Sequence, residues 1–277
     1  MRQVLEDTVY ISGCSHSHHW YLNQDLANSW TTQLGFKTVY NHSICGSSNE
    51  FIARRAWMFC EKYKPELAII QWTNLTRTEA IGHGAQTSQN EGWVQQLANT
   101  EDNKGKAQVY FLHNENLPLD NTQSPEYYYS TFYGPWNDDN NSKAFVQTWD
   151  FSTAFCNLIK NALVLQTYFK AINQPYIFVN GTDWLHTSNI DPDHLPIDEF
   201  GSWHPIKFLD LVPSKYGLST VKPIADKIDR TRWLSVNIMS NIQDRGDDGS
   251  HGGIKTNKDF ALQIKAWLDK VNAGNRK

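Results

Sequence analysis

The apolar and polar positions of the N-terminal half predict strands and helices in alternation. Thr8 to Ser12 is a short β-branched and aromatic run stopped by Gly13. Leu22 to Leu34 reads as a helix with Leu26, Trp30 and Leu34 on one face, ended by Gly35. Lys37 to Asn41 reads as a second strand. Asn49 to Tyr63 reads as a helix with Phe51, Ile52, Ala56 and Phe59 inward and Pro65 beyond its end. Glu66 to Gln71 is an almost continuous apolar run, the pattern of a parallel strand buried on both faces. Strands separated by helices imply βαβ crossovers and a parallel sheet.

Regular patterning then lapses. Residues 73 to about 150 are polar and rich in Asn and Gln, with one strand-like run at Val109–Leu112 and an aromatic cluster from Tyr127 to Trp136. A long helix returns from Phe151 to Ile172, followed by a core strand at Pro175–Val179. Residues 181–250 are irregular again. Lys258 to Val271 closes the chain as an amphipathic helix with Phe260, Ile264, Trp267, Leu268 and Val271 on one face. The pattern suggests one α/β domain over 1–277 with insertions at about 73–150 and 181–247, rather than two domains.

The chain has 277 residues and a formal net charge of −4, which argues against a dedicated nucleic-acid binder. No apolar run approaches the roughly 20 residues of a spanning helix. Arg2, Glu6 and Asp7 leave no room for a secretory h-region, so cytoplasmic residence is expected. Cys14, Cys45, Cys60 and Cys156 show no CxxC spacing and read as reduced thiols. N-x-S/T triplets begin at Asn41, Asn74, Asn140 and Asn180, and without an export signal they carry little meaning. Eleven Trp and twelve Tyr exceed the needs of a core this size, which places some of them in a surface cleft.

Four short segments fall at predicted strand ends or before the last helix, where an open α/β sheet binds ligands. Ser12-Gly13-Cys14-Ser15-His16 follows the first strand. It is either a sharp turn exposing the Ser15 hydroxyl or an ordinary turn with an N-cap serine. Asn41 to Asn49 follows the second strand, and Gly46 within it either presents a bare N–H to a ligand oxygen or belongs to a small-residue capping loop. Ile70 to Glu79 follows the third strand. Asn74 there is a candidate neutral donor, with Arg77 and Glu79 as a supporting ion pair, in what is otherwise a solvated loop. Asp248-Gly249-Ser250-His251 lets a carboxylate orient an imidazole across a tight turn, leaving Nε2 as a base. Asp191-Pro192-Asp193-His194 is a second match to the same spacing. The 248–251 match is preferred because a core helix holds it.

Taken together, the four segments resemble the blocks of the SGNH, or GDSL-type, hydrolase superfamily in their order and positions. Gly13-Cys14-Ser15, the Gly-Ser-Ser-Asn stretch from Gly46 and the Trp72 to Glu79 stretch look most like a divergent branch often encoded by bacteriophages. The resemblance implies a three-layer sandwich with a central parallel sheet, the flavodoxin-like SGNH fold. It implies Ser15 as nucleophile, His251 as base and Asp248 as its partner. The oxyanion hole would use the N–H groups of Ser15 and Gly46 and the Asn74 side chain. The implied reaction is hydrolysis of a carboxylic ester, a short-chain acyl or O-acetyl group on a small molecule or glycan, with no cofactor and no metal. A phage origin would place the protein in the host cytoplasm or the virion. Cys14 departs from the family's aspartate, and Trp72 and Leu75 from its glycine and aspartate, so of the third block only Asn74 matches.

The rivals are few. No G-x-S-x-G elbow occurs, which removes the α/β-hydrolase reading. Gly249 to Thr256 lacks the second glycine of a phosphate loop. Cys14, His16, His18 and His19 match no zinc spacing. Cys14 as nucleophile is weaker than Cys14 as a small buried residue. The reading from a different class is a non-catalytic glycan- or protein-binding module on a degenerate scaffold, using the rings of Tyr127 to Trp136.

Overall fold

A computed structural model describes residues 2–18, 22, 25–83, 93–99, 106–112, 128–133, 140–181, 215–239 and 242–274. Strands β1 (Gln3–Ser12), β2 (Thr38–Asn41), β3 (Tyr63–Trp72), β5 (Trp93–Asn99), β6 (Lys106–Leu112), β8 (Tyr176–Asn180) and β9 (Trp233–Asn237) form one seven-stranded sheet. Its order is β5-β6-β2-β1-β3-β8-β9. The stretch β2-β1-β3-β8-β9 runs parallel throughout and has the doubly wound, flavodoxin-like order. β6 extends it in parallel beyond β2, and β5 pairs antiparallel at the edge. Strands β4 (Thr78–His83) and β7 (Tyr128–Tyr133) form a separate antiparallel pair.

Alternation along the strands builds two cores. On one face Tyr10, Ala68, Ile70, Tyr176 and Phe178 pack against helices α1 (Asn49–Lys62) and α3 (Phe151–Ala171). On the other, Val9, Ile11, Leu67, Ile69, Ile177 and Val179 meet Leu26, Trp30 and Leu34 and helix α5 (Ile254–Gly274). The result is helix, sheet, helix: the three-layer α/β sandwich expected. Period-2 burial on both faces is why β3 reads as a continuous apolar run. Each large apolar side chain so buried contributes roughly 1.5–3 kcal/mol. α1 begins where the Ser48 hydroxyl accepts Phe51 N–H at 3.2 Å, and α3 where Asp150 accepts Thr153 N–H at 2.7 Å.

The structure corrects three sequence expectations. Leu22–Leu34 is not an α-helix but a 3₁₀ turn at Leu26–Asn28 followed by further turns. Asp25, Ser29, Thr31 and Thr32 offer their own oxygens and hydroxyls to nearby groups. Thr32 Oγ1 donates to the carbonyls of Leu26 and Ser29, and Asp25 accepts Ala27 N–H. Such local bonds compete with a helical ladder. Leu26, Trp30 and Leu34 nevertheless reach the core.

Residues 73–150 are not irregular throughout, since they hold β4 to β7 and helix α2 (Asn140–Thr148). β6 contains the strand-like run expected at Val109–Leu112, and it pairs with β2 on one side and β5 on the other. The 181–247 segment likewise supplies helix α4 (Lys222–Ala225) and strand β9. Both segments therefore contribute strands to the main sheet.

Candidate active site

The four candidate segments lie at the carboxyl edge of the sheet, around the β1–β3 switch point. Ser15 opens a 3₁₀ turn directly beyond β1 (Ser15–Ser17), with Ser17 N–H donating to Cys14 O and His18 N–H to Ser15 O at 3.0 Å each. Gly13 is required there. A Cβ on it would come within 2.7 Å of Ser17 Oγ and 2.8 Å of Gln71 Oε1. The Gln71 side chain fills the space beneath the turn. Its Oε1 accepts from Ser17 Oγ at 2.5 Å, Cys14 N–H at 3.4 Å and Cys14 Sγ at 3.6 Å. The Cys14 thiol is thus fully buried and directed to Gln71, away from any nucleophilic role.

Ser15 Oγ donates to His251 Nε2 at 2.7 Å across 236 residues of chain. His251 Nδ1 bonds Asp248 Oδ2. The two side chains are only 14% and 16% exposed. Burial alone would raise the Asp248 pKa. The hydrogen bonds from Ser250 Oγ, His251 N–H, the His251 ring and Ser250 N–H outweigh it and hold the carboxyl well below the ordinary carboxylate range. An ionised Asp248 can only accept, so His251 carries its proton on Nδ1 and leaves Nε2 with a lone pair facing Ser15.

The loop carrying this pair is built as a closed finger. Asp244 caps α5, accepting Lys255 N–H, Thr256 N–H and Thr256 Oγ1 at 2.9 Å each. Gly253 N–H donates to Asp244 O and Gly246 N–H to His251 O, both at 2.9 Å. Gly249 turns the tip with φ of +69°, a conformation few other residues adopt without strain. Asn257 and Trp30 tie the finger to the Ser15 turn. Asn257 Nδ2 donates to the carbonyls of Gly252 and Gly253, and its Oδ1 accepts Trp30 N–H. The Trp30 indole N–H then donates to His16 O at 3.0 Å.

Gly46 lies in the loop after β2 with φ of +81°. That loop is stitched to the Ser15 turn by Ser47 Oγ donating to Gly13 O at 2.8 Å and by Asn41 Nδ2 donating to Ser17 O at 2.7 Å. Among the described residues, neither the Ser15 N–H nor the Gly46 N–H donates to a protein acceptor. Asn74 follows β3, where Asn49 pairs with the Thr73 backbone at 2.8 and 3.1 Å. Asn74 Oδ1 accepts from the N–H and Oγ1 of Thr76. Arg77 is half-buried, lines a cleft with Asn49, Glu50, Leu75 and Trp149, and adds its charge to the field at His16. The Glu79 side chain, His19, the 191–194 match and the side chains of Tyr127–Trp136 lie outside the described residues.

Sequence reasoning did not assign roles to Gln71, Trp30, Asn257 or Asp244. A glutamine ending an apolar run was the one legible signal. Trp30 and Asn257 act through each other across 227 residues of chain, and Asp244 through Lys255 and Thr256, 11 and 12 residues on.

The chain is thus a doubly wound α/β protein in which Ser15, His251 and Asp248 form a hydrogen-bonded row at the carboxyl edge of the sheet. No protein-family model matches it, and no curated protein does. Among the described residues no helix is long and apolar enough to cross a membrane, and no group of three or more His, Cys, Asp or Glu is placed to hold a metal ion.

Proposed function

We propose that the protein is a serine hydrolase of the SGNH type that cleaves a carboxylic ester through an acyl-enzyme on Ser15. The observation that carries this reading is the 2.7 Å bond from Ser15 Oγ to a His251 Nε2 whose tautomer is set by Asp248. In the first half-reaction the Ser15 oxygen attacks the ester carbonyl carbon while its proton passes to Nε2. The carbon–oxygen bond to the alcohol then breaks, and the departing oxygen takes that proton. In the second half-reaction water attacks the acyl carbon, gives a proton to Nε2, and the acid leaves as Ser15 recovers its hydrogen. Asp248 stabilises the imidazolium without accepting its proton.

The tetrahedral oxyanion takes hydrogen bonds from Ser15 N–H, Gly46 N–H and the Asn74 amino group. Each such donor is worth about 3–4 kcal/mol in the transition state. Support for the two backbone donors is their position on stitched, rigid turns. Support for Asn74 is the turn that commits its oxygen elsewhere. The substrate class is a short-chain acyl or O-acetyl ester on a small molecule or glycan.

The test is a fluorophosphonate probe together with p-nitrophenyl acetate. The wild-type protein is expected to label and to release p-nitrophenol, and Ser15→Ala to do neither. Labelling that survives Ser15→Ala overturns the assignment.

A further inference from the structure

A role for His16 rests on the serine-hydrolase reading. His16 follows the proposed nucleophile and is only 5% exposed. Its ring centroid lies 4.5 Å from that of His251, with the planes tilted by 46°. That is the close end of the roughly 4.5–7 Å spacing of aromatic pairs. The Trp30 indole holds its carbonyl, so the ring's base is anchored in the core. His251 is therefore held from three directions: Ser15 at Nε2, Asp248 at Nδ1 and His16 across a ring face. We propose that His16 is a positioning residue whose ring fixes the plane of His251 and stabilises the imidazolium that forms in each half-reaction.

The surroundings keep His16 suited to that role. Burial disfavours its charged form most. The cationic sides of His251, Arg77 and Arg245 add to this, and only Asp248 opposes them. His16 accordingly titrates well below the usual histidine range and presents a neutral ring at ordinary pH. A cation facing a neutral aromatic ring is attracted to it, whereas a second imidazolium there would be repelled.

Two non-aromatic variants, His16→Leu and His16→Met, are compared with His16→Phe, which keeps a ring but cannot titrate. Thermal melts establish that each is folded. On p-nitrophenyl acetate the non-aromatic variants are expected to lose about fivefold in kcat, equivalent to about 1 kcal/mol, with little change in KM. The acid limb of their kcat/KM profile moves to lower pH, because the imidazolium has lost its facing ring. His16→Phe restores both. Proton NMR provides a readout that needs no turnover. The downfield Nδ1–H signal of His251, bound to Asp248, is expected in wild type and His16→Phe and broadened in His16→Leu.

Non-aromatic variants that keep kcat, pH profile and NMR signal, or a phenylalanine variant as impaired as leucine, overturn the role of His16. If the NMR pattern appears as expected but no turnover depends on Ser15, the hydrolase reading falls and the ring-packing inference stands.

Discussion

Replacing Asn257 with leucine tests how the two halves of the site are held together. Asn257 is fully buried at the start of α5. Its Oδ1 accepts Trp30 N–H at 3.1 Å, and its Nδ2 donates to the carbonyls of Gly252 at 2.9 Å and Gly253 at 3.0 Å. Leucine has nearly the same shape but none of these bonds. The Gly253 carbonyl keeps its helical bond from the Asn257 N–H at 3.0 Å. Trp30 N–H and the Gly252 carbonyl are left as two orphans. Each buried orphan costs about 1–3 kcal/mol, so Asn257→Leu is expected to lose about 2–6 kcal/mol. That is a large part of a typical total stability of roughly 5–15 kcal/mol.

Urea denaturation followed by tryptophan fluorescence measures the loss, as a lower midpoint with an unchanged slope. Activity should suffer in the fraction that stays folded. Trp30 holds the turn of Ser15, and Gly252 adjoins His251, so the Ser15–His251 bond loosens. A misplacement on the order of 1 Å costs roughly 100-fold in rate. A stability loss under about 1 kcal/mol with kcat intact would refute the idea that this carboxamide couples the two loops.

Gly13→Ala forces a methyl group against Ser17 Oγ and Gln71 Oε1. It is expected to cost about 1–3 kcal/mol in thermal unfolding and to slow labelling of Ser15. Asp248→Asn preserves shape but removes the anionic acceptor. If the proposed hydrolase reading holds, it lowers kcat by on the order of 10⁴, as an asparagine does in the serine-protease triad, with little change in melting temperature. Asp244→Ala removes the cap of α5 and is expected to cost about 1–2 kcal/mol at neutral pH. The Asp244 pKa is lowered: burial would raise it, but hydrogen bonds from Lys255 and Thr256 prevail. Its contribution is therefore present above the unfolded value of 3.8 and lost as pH falls through the lower folded value. Urea midpoints of wild type and Asp244→Ala should converge below about pH 4.

Most of the layer structure was legible in the sequence. Period-2 and period-3.6 burial directly records which side of a strand or helix faces apolar neighbours, and the bounds expected for β3, α1, α3 and β8 fall within a few residues of those observed. The residue types at the four loops were legible for the same local reason: a glycine at a turn, a serine at its mouth, an aspartate three residues before a histidine. The sequence could not distinguish a helix from a set of side-chain-capped turns over Leu22–Leu34. There the apolar spacing agreed with both, and hydroxyl groups decided the backbone.

Only the tertiary structure decided that β5, β6 and β9 join the main sheet, through pairing with β6, β2 and β8 respectively. Only it brought Ser15 to His251, since 236 residues separate them. The link between them runs through a buried indole and a buried carboxamide whose spacing in sequence follows no period. Such contacts arise from how layers stack. Local propensity carries no information about which polar groups the stacking will leave facing one another.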